Sequence, residues 1–216
     1  MDKRLQQLNR ALAGCRLGRP LFWFDTVGST NDVLKEKAEA GAPEGCTIIA
    51  DGQTRGRGRR GKKWLSLDGK GVYMSILIRP GWPAAEASLV SMLAVVGVAS
   101  ALETIGIRQI QVKWPNDVLA RGKKIAGILV EPRLSRQLID FVVIGIGINV
   151  RHGRRELDFP GAGAATSCRL EGVRTDCDRV IINVLRELET CYASAQEGQK
   201  DRILDKWARR QAGAVD

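Results

Sequence analysis

Apolar positions along this chain recur at two periods, and the switches between them mark out the elements. Leu5, Leu8, Ala11 and Leu12 fall on one helical face, which predicts a short amphipathic helix over residues 3–13. Residues 21–24 form a dense apolar strand. Gly28-Ser29-Thr30-Asn31-Asp32 then has the chemistry of a helix start, and a helix is predicted over 31–40, stopping at Gly41. Residues 47–50 and 72–78 read as buried strands, the second ending at Arg79-Pro80. Residues 52–63, between them, carry no apolar side chain and predict an exposed loop. Residues 86–105 are rich in Ala, Leu and Val and end near Gly106, so they predict the main core helix.

Two short strands, 109–113 and 117–120, flank Trp114-Pro115. Arg121-Gly122-Lys123 is a tight turn, and 125–131 returns as the second arm of a hairpin. Residues 138–148 predict another buried strand. Beyond a link rich in Gly, Ala and Arg, the spacing of Val180, Ile181, Val184, Leu185 and Leu188 predicts a helix over 178–193, and a last helix covers 200–210. Strands gathered in the middle with helices at the flanks predict an α+β fold with a mixed, mostly antiparallel central sheet.

Composition narrows the class. A length of 216 residues, 44% hydrophobic and 27% charged, fits one large globular domain and excludes disordered, collagen-like and coiled-coil chains. The first residues are polar, unlike a secretory signal, and no run of 18 uninterrupted apolar residues appears, so no membrane segment is expected. Cys15, Cys46, Cys168, Cys177 and Cys191 are odd in number and lack C-x-x-C spacing, which suits reduced thiols in a cytoplasm. His152 is the single histidine, too few for a Cys/His zinc site, so no metal site is expected. His152 also lies in the link, with no sign of a pocket, which argues against a Ser-His-Asp mechanism.

Charge is concentrated. The net charge is +10, and Arg55, Arg57, Arg59, Arg60, Lys62 and Lys63 supply six positive charges within nine residues that hold no acid. Such a segment attracts an anion: nucleic acid, a membrane surface or a small polyphosphate. Gly56-Arg57-Gly58-Arg59-Arg60-Gly61 matches G-x-G-x-x-G literally. A dinucleotide fingerprint needs a helix after it, however, and Lys62-Lys63-Trp64-Leu65-Ser66 reads as a turn into a strand. Nucleic-acid binding lacks interleaved aromatics, and a plain solvated loop stays open. Gln53 before the run and Trp64 after it suit a binding site, glycine admits close backbone approach, and arginine grips phosphate bidentately.

Three further constellations stand out. Lys113-Trp114-Pro115-Asn116-Asp117 puts an amide and a carboxylate between two strands, where they serve either a turn or a site. Lys124 opens an apolar strand beside Ala126 and Gly127, and either snorkels to water or reaches into a pocket. Gly145 and Gly147 share one strand face, a tightly packed core or a flat floor under a ring-shaped ligand. Ser29 and Thr30 read as an N-cap that could also hold a polar group of a ligand.

Taken together, Gly28-Ser29-Thr30-Asn31, Gln53 with the Gly56–Gly61 loop and Trp64, Lys113–Asp117, Lys124–Glu131 and Gly145–Asn149 resemble one family, the biotin protein ligases (biotin–[acetyl-CoA-carboxylase] ligases). The resemblance covers 21–150 in register. It implies a catalytic domain of the class II aminoacyl-tRNA synthetase-like type over 1–216, with a short N-terminal helix in 1–20 and C-terminal helices in 176–212. It implies a reaction in two steps: biotin and ATP, with Mg²⁺ carried on its phosphates, give biotinyl-5′-AMP. A lysine of a biotin carboxyl carrier protein of acetyl-CoA carboxylase, or of a related carboxylase, then takes the biotin.

By the same resemblance, Ser29, Thr30, Asn31, Gln53, Gly56, Arg57 and Lys124 line the biotin pocket, with Gly145 and Gly147 as its floor. Arg57, Arg59 and Arg60 close over the adenylate. Lys124 stands near the activated carboxylate, Asn116 and Asp117 near the arriving lysine, and Trp64 and Asn149 on the adenine or ribose side. A lipoate or octanoate ligase of the same superfamily, an Arg/Gly-loop nucleic-acid binder and a biotin-sequestering module are the competing readings. Two departures are visible. Lys62 stands where the family usually carries Arg, and the sequence ends at Asp216 where relatives continue into an SH3-like domain. About 20 residues precede Leu21, too few for a winged helix, so no DNA binding is expected. A homodimer is compatible with the family.

Overall fold

The computed structural model describes residues 3–158 and 163–212. Its elements are α1 (Lys3–Ala11), β1 (Leu21–Val27), α2 (Thr30–Glu39), β2 (Thr47–Gln53), β3 (Gly71–Ile78), α3 (Ala87–Thr104), β4 (Ile110–Lys113), β5 (Asp117–Ala120), β6 (Lys123–Ser135), β7 (Leu138–Asn149), α4 (Arg154–Leu157), α5 (Cys177–Gln196) and α6 (Lys200–Ala208). The strands form one sheet in the order β1-β2-β3-β7-β6-β5-β4. β1 and β2 run parallel with α2 as their crossover, and every other neighbouring pair is antiparallel. The α+β class with a mixed, mostly antiparallel sheet is therefore the observed one. Residues 159–162 of the Gly/Ala/Arg-rich link, and both ends of the 1–216 unit, lie outside the described residues.

Alternation along β3 and β7 decides where the site can be. Val72, Met74, Ile76 and Ile78, with Val142, Ile144, Ile146 and Ile148, point to one face and join the main core with α3 and α5. Leu77, Phe141 and Val143 point to the other, where Leu34 and Ala38 of α2 pack with Cys46 and Ile48. α2 covers only that end. Tyr73, Ser75, Gly145 and Gly147 continue the same face beyond it, and two of the four have no side chain. The sheet is thus fully covered on one side and half covered on the other.

By length and composition alone, residues 84–104 could cross a membrane, with a mean hydropathy of 1.8. In the fold this segment is the central helix, apolar all round because the sheet, α5 and α6 surround it. Its Gly97 permits that approach, since a Cβ there would meet Leu188 Cδ2 at 2.6 Å. Several boundaries differ from the sequence expectation. β1 runs on through Asp25 to Val27, because an edge strand tolerates outward polar residues. β2 continues through Gly52 to Gln53, which moves Gln53 from the predicted loop to a strand end. β6 extends to Ser135, paired with β7 along almost its whole length. The outer edge of β4 is capped: Val112 N–H donates to Arg210 O at 2.6 Å, and Ala212 N–H donates to Val112 O at 2.8 Å.

Candidate functional site

The half-covered face holds a cleft of about 1290 Å³. Ser29–Asn31 at the start of α2, Gln53, residues 57–60 and 62–65, Lys113–Asp117, Lys124, Gly127, Gly145, Gly147, Asn149 and residues 163–165 line it. Segments distant in sequence are thus brought together, and every site residue named from the sequence lies here except Gly56, which sits at the loop's base.

One end of the cleft is neutral, polar and buried. Ser29, Thr30 and Asn31 are each only 3% exposed. Ser29 occupies the N-cap position of α2 but makes no capping hydrogen bond. Gln53 instead satisfies a free donor of that first turn: the Thr30 N–H donates to Gln53 Oε1 at 2.9 Å. Gln53 Nε2 in turn donates to Ser66 Oγ at 2.8 Å. The Asn31 amide donates to Glu131 Oε2 at 2.7 Å, and its Oδ1 lies 2.6 Å from Ser75 Oγ.

The other end is cationic and exposed. Residues 56–64 form a small hairpin rather than a free coil. Trp64 N–H donates to Gly56 O at 2.9 Å and Gly58 N–H to Lys62 O at 2.6 Å, with an antiparallel bridge between Arg57 and Lys63. Gly56 is obligatory at the neck, since a Cβ would lie 2.4 Å from Trp64 O. At the tip Arg60 adopts φ 53°, ψ 40°, a left-handed conformation that costs a non-glycine residue on the order of 1–2 kcal/mol. Arg59, Arg60 and Lys62 are exposed. Arg57 instead turns back, 2.6 Å from Asp32 Oδ1 and 3.2 Å from Glu131 Oε2.

Between the two ends stands Lys124. Its Nζ lies 2.7 Å from Asp117 Oδ1 and 5.3 Å from the centre of the Trp64 ring. It therefore reaches into the pocket rather than snorkelling. The geometry is that of an ion pair without a well-aligned hydrogen bond, since Asp117 Oδ1 is buried and accepts none among the described residues. Antiparallel pairing of β5 with β6 sets this contact. Their two-residue turn has both Arg121 (φ 48°) and Gly122 (φ 73°) left-handed, as a tight hairpin requires. Asn116 holds the strand ends together: its Nδ2 donates to Ile128 O at 3.2 Å. Asn149 Nδ2 donates to Thr166 O at 3.0 Å, tying residues 163–166 to the cleft wall.

The glycine floor is not bare. A Cβ on Gly145 would lie 2.1 Å from Asn31 Oδ1, and one on Gly147 would lie 2.3 Å from Trp64 Cε2. Gly127, paired with Gly147 across β6 and β7, also faces the Trp64 ring. The glycines thus make room first for the protein's own amide and indole. The Trp64 indole N–H is buried without a partner among the described residues, a donor left open inside the cleft.

His152 stands apart from the cleft, in keeping with the sequence reading. It is fully buried, with Nε2 3.4 Å from Tyr73 Oη and Nδ1 without a partner among the described residues. Burial pushes its pKa down to about 4. It does not line the cleft. Sequence reasoning missed Ser75, Glu131, Asp32 and Ser66 as members of the site network. A lone serine inside the apolar run 72–78 was the available signal for Ser75.

The model of the biotin/lipoate A/B protein ligase family matches residues 23–149. This chain belongs to that family. The matched span holds every site residue named above except 163–166, which lie beyond it. The chain is 38% identical over 179 residues to the bifunctional ligase/repressor BirA of Bacillus spizizenii, covering 82% of this chain and 54% of the relative. It therefore spans about half the length of that relative. A biotin–[acetyl-CoA-carboxylase] ligase of Mycobacterium tuberculosis is 38% identical, with coverage of 97% and 77%. Among solved structures, the Aquifex aeolicus biotin protein ligase in complex with biotin and ATP superposes with a TM-score of 0.72 at 32% identity, covering 88% of this chain and 78% of that one.

Proposed function

We propose that this chain is an ATP-dependent biotin protein ligase that forms biotinyl-5′-AMP and transfers biotin to a lysine of a biotin carboxyl carrier protein of acetyl-CoA carboxylase or a related carboxylase. The observation that carries this reading is the polarity of the cleft: a buried neutral end, a central lysine and a cationic flap, all within one concavity. A substrate with a polar, uncharged ring at one end and a carboxylate at the other matches that order.

The chemistry follows from charge. A carboxylate oxygen attacking the α-phosphorus of ATP brings two anions together, and pyrophosphate leaves with further charge. Fixed cations offset that repulsion and stabilise charge developing on the phosphoryl oxygens. We assign Lys124 to the reacting centre, and Arg57, Arg59 and Arg60 to the phosphates. Mg²⁺ bound largely by the nucleotide phosphates supplies further neutralisation when present. Arg57 must exchange Asp32 or Glu131 for the substrate anion, which gives the flap a resting and an engaged state. A closed flap also shields the mixed anhydride from water.

In the second step the neutral amine of the acceptor lysine attacks the acyl carbon and AMP leaves. Asp117 takes the amine's proton. Asn116 holds the β5 end that carries Asp117. A lipoate substrate suits the cleft less well, because a dithiolane ring leaves the hydrogen-bonding groups of the buried end unused. The flap guards a concavity and its Arg57 is engaged within it, which favours a small anion over nucleic acid. We place the reaction in the cytoplasm, in keeping with free thiols at all five cysteines.

The test is mass spectrometry of a carrier domain incubated with this chain, biotin and Mg·ATP. A mass gain of one biotin is expected. No gain, together with no biotin-dependent pyrophosphate release, overturns the proposal.

A further inference from the structure

Behind the buried end of the cleft lies a hydroxyl outside every recognised motif, Ser75 of β3, and the hydrogens around it can be counted. Ser75 is fully buried. Its Oγ lies 2.6 Å from Asn31 Oδ1 and 2.7 Å from Thr30 Oγ1. A hydroxyl has one hydrogen, so Ser75 donates to only one of them. The choice is made at the far side of Asn31. There the amide meets Glu131 Oε2 at 2.7 Å, and Glu131 is a carboxylate paired with Arg57 at 3.2 Å. A carboxylate in that pairing only accepts, so the Asn31 NH₂ faces it. The Asn31 carbonyl oxygen then faces Ser75, and it too only accepts. Ser75 therefore donates to Asn31, and the Thr30 hydroxyl donates to Ser75.

The consequence falls on Gln53. Thr30 Oγ1 is also 3.2 Å from Gln53 Oε1. With its hydrogen committed to Ser75, Thr30 does not occupy that oxygen. Gln53 Oε1 accepts from the Thr30 backbone N–H and keeps a second lone pair open. Thr30 Oγ1 keeps lone pairs open as well, and both residues line the cleft. We infer that Ser75, with Asn31 and Glu131 behind it, is a positioning residue. It holds Thr30 and Gln53 as hydrogen-bond acceptors toward the bound ligand, so that this end of the cleft selects a ring bearing N–H donors. The inference rests on the biotin ligase reading, in which that ring is the cyclic urea of biotin.

The test titrates biotin, and a biotin derivative methylated on its ring nitrogens, into the full chain and its variants without ATP. Steady-state kinetics run alongside. Ser75→Ala is expected to weaken biotin roughly tenfold, because the freed Thr30 hydroxyl turns to Gln53 and fills its lone pair. KM for biotin rises, while kcat and KM for ATP stay within about twofold of wild type. Wild type prefers biotin over the methylated derivative, and Ser75→Ala loses most of that preference. Thr30→Val weakens biotin similarly, and the double variant shows no further loss. Unchanged preference in Ser75→Ala, or a loss confined to kcat, overturns the inference. Should Ser75→Ala lose its cooperative melting transition, Thr30→Val decides alone: biotin bound as tightly as by wild type overturns it. A wild-type chain that binds no biotin removes the ligase reading and this inference together, an outcome distinct from unchanged discrimination.

Discussion

The two ends of the cleft solve recognition in opposite ways. At the α2 end, Thr30, Asn31, Gln53, Ser75 and Glu131 are joined by hydrogen bonds before any ligand arrives. At the flap end, Arg59 and Arg60 stand in solvent, and Arg57 is engaged with acids of its own chain. The first arrangement gives direction, because buried polar groups hold one geometry. The second gives charge, which acts over distance and can be rearranged. A ligand fixed by one end and neutralised by the other needs both.

The largest effect separates the ends at their junction. Lys124→Ala removes the cation between them and leaves Asp117 uncompensated. Biotin-dependent pyrophosphate release is expected to fall by about 10²–10³-fold, whereas biotin affinity changes far less. Equal losses in both would erase the division between the two ends.

Acid acts on a buried group outside both ends, and so separates a loss of fold from a loss of either. His152 is neutral in the fold, with a pKa near 4 against an ordinary 6.5. Unfolded chain therefore binds a proton between those values that folded chain does not, so stability is intact above about pH 6.5 and lost as pH falls toward 4. The loss attributable to this group is on the order of 3 kcal/mol. Urea midpoints across that range measure it, and His152→Gln, if it folds, should flatten the dependence.

Gly145→Ala tests the pre-formed end. Its Cβ would lie 2.1 Å from Asn31 Oδ1. The displaced amide is expected to cost roughly 1–3 kcal/mol of stability and to weaken biotin in the same variant. The smallest effect concerns screening. Raising salt should increase KM for ATP by roughly two- to fivefold through the exposed flap, with KM for biotin nearly constant. A parallel rise in both would contradict the assignment of charge to one end.

Much of this was legible in the sequence, for reasons that differ by element. Residues 86–105 announced α3 through an apolar run too long for a strand. Gly145 and Gly147 announced a close approach but not what approaches, because Asn31 and Trp64 come from other segments. The choice open to Lys124 depended on Asp117, a neighbour across a hairpin, and spacing alone does not report cross-strand pairs. His152 looked like a linker residue because its surroundings are Arg and Gly, yet the chain turns it inward beside Tyr73. Ser75 stayed hidden because its partners lie on α2, 44 and 45 residues away.

The tied neck of residues 56–64 bears on how cheaply the flap can move. Fixing nine independent residues would forfeit on the order of 10 kcal/mol of backbone entropy. The bonds from Trp64 to Gly56 and from Gly58 to Lys62 have already removed much of that freedom. What is left is the swing of a stiff paddle about its root, so most of the attraction between arginine and phosphate remains available to hold the paddle down.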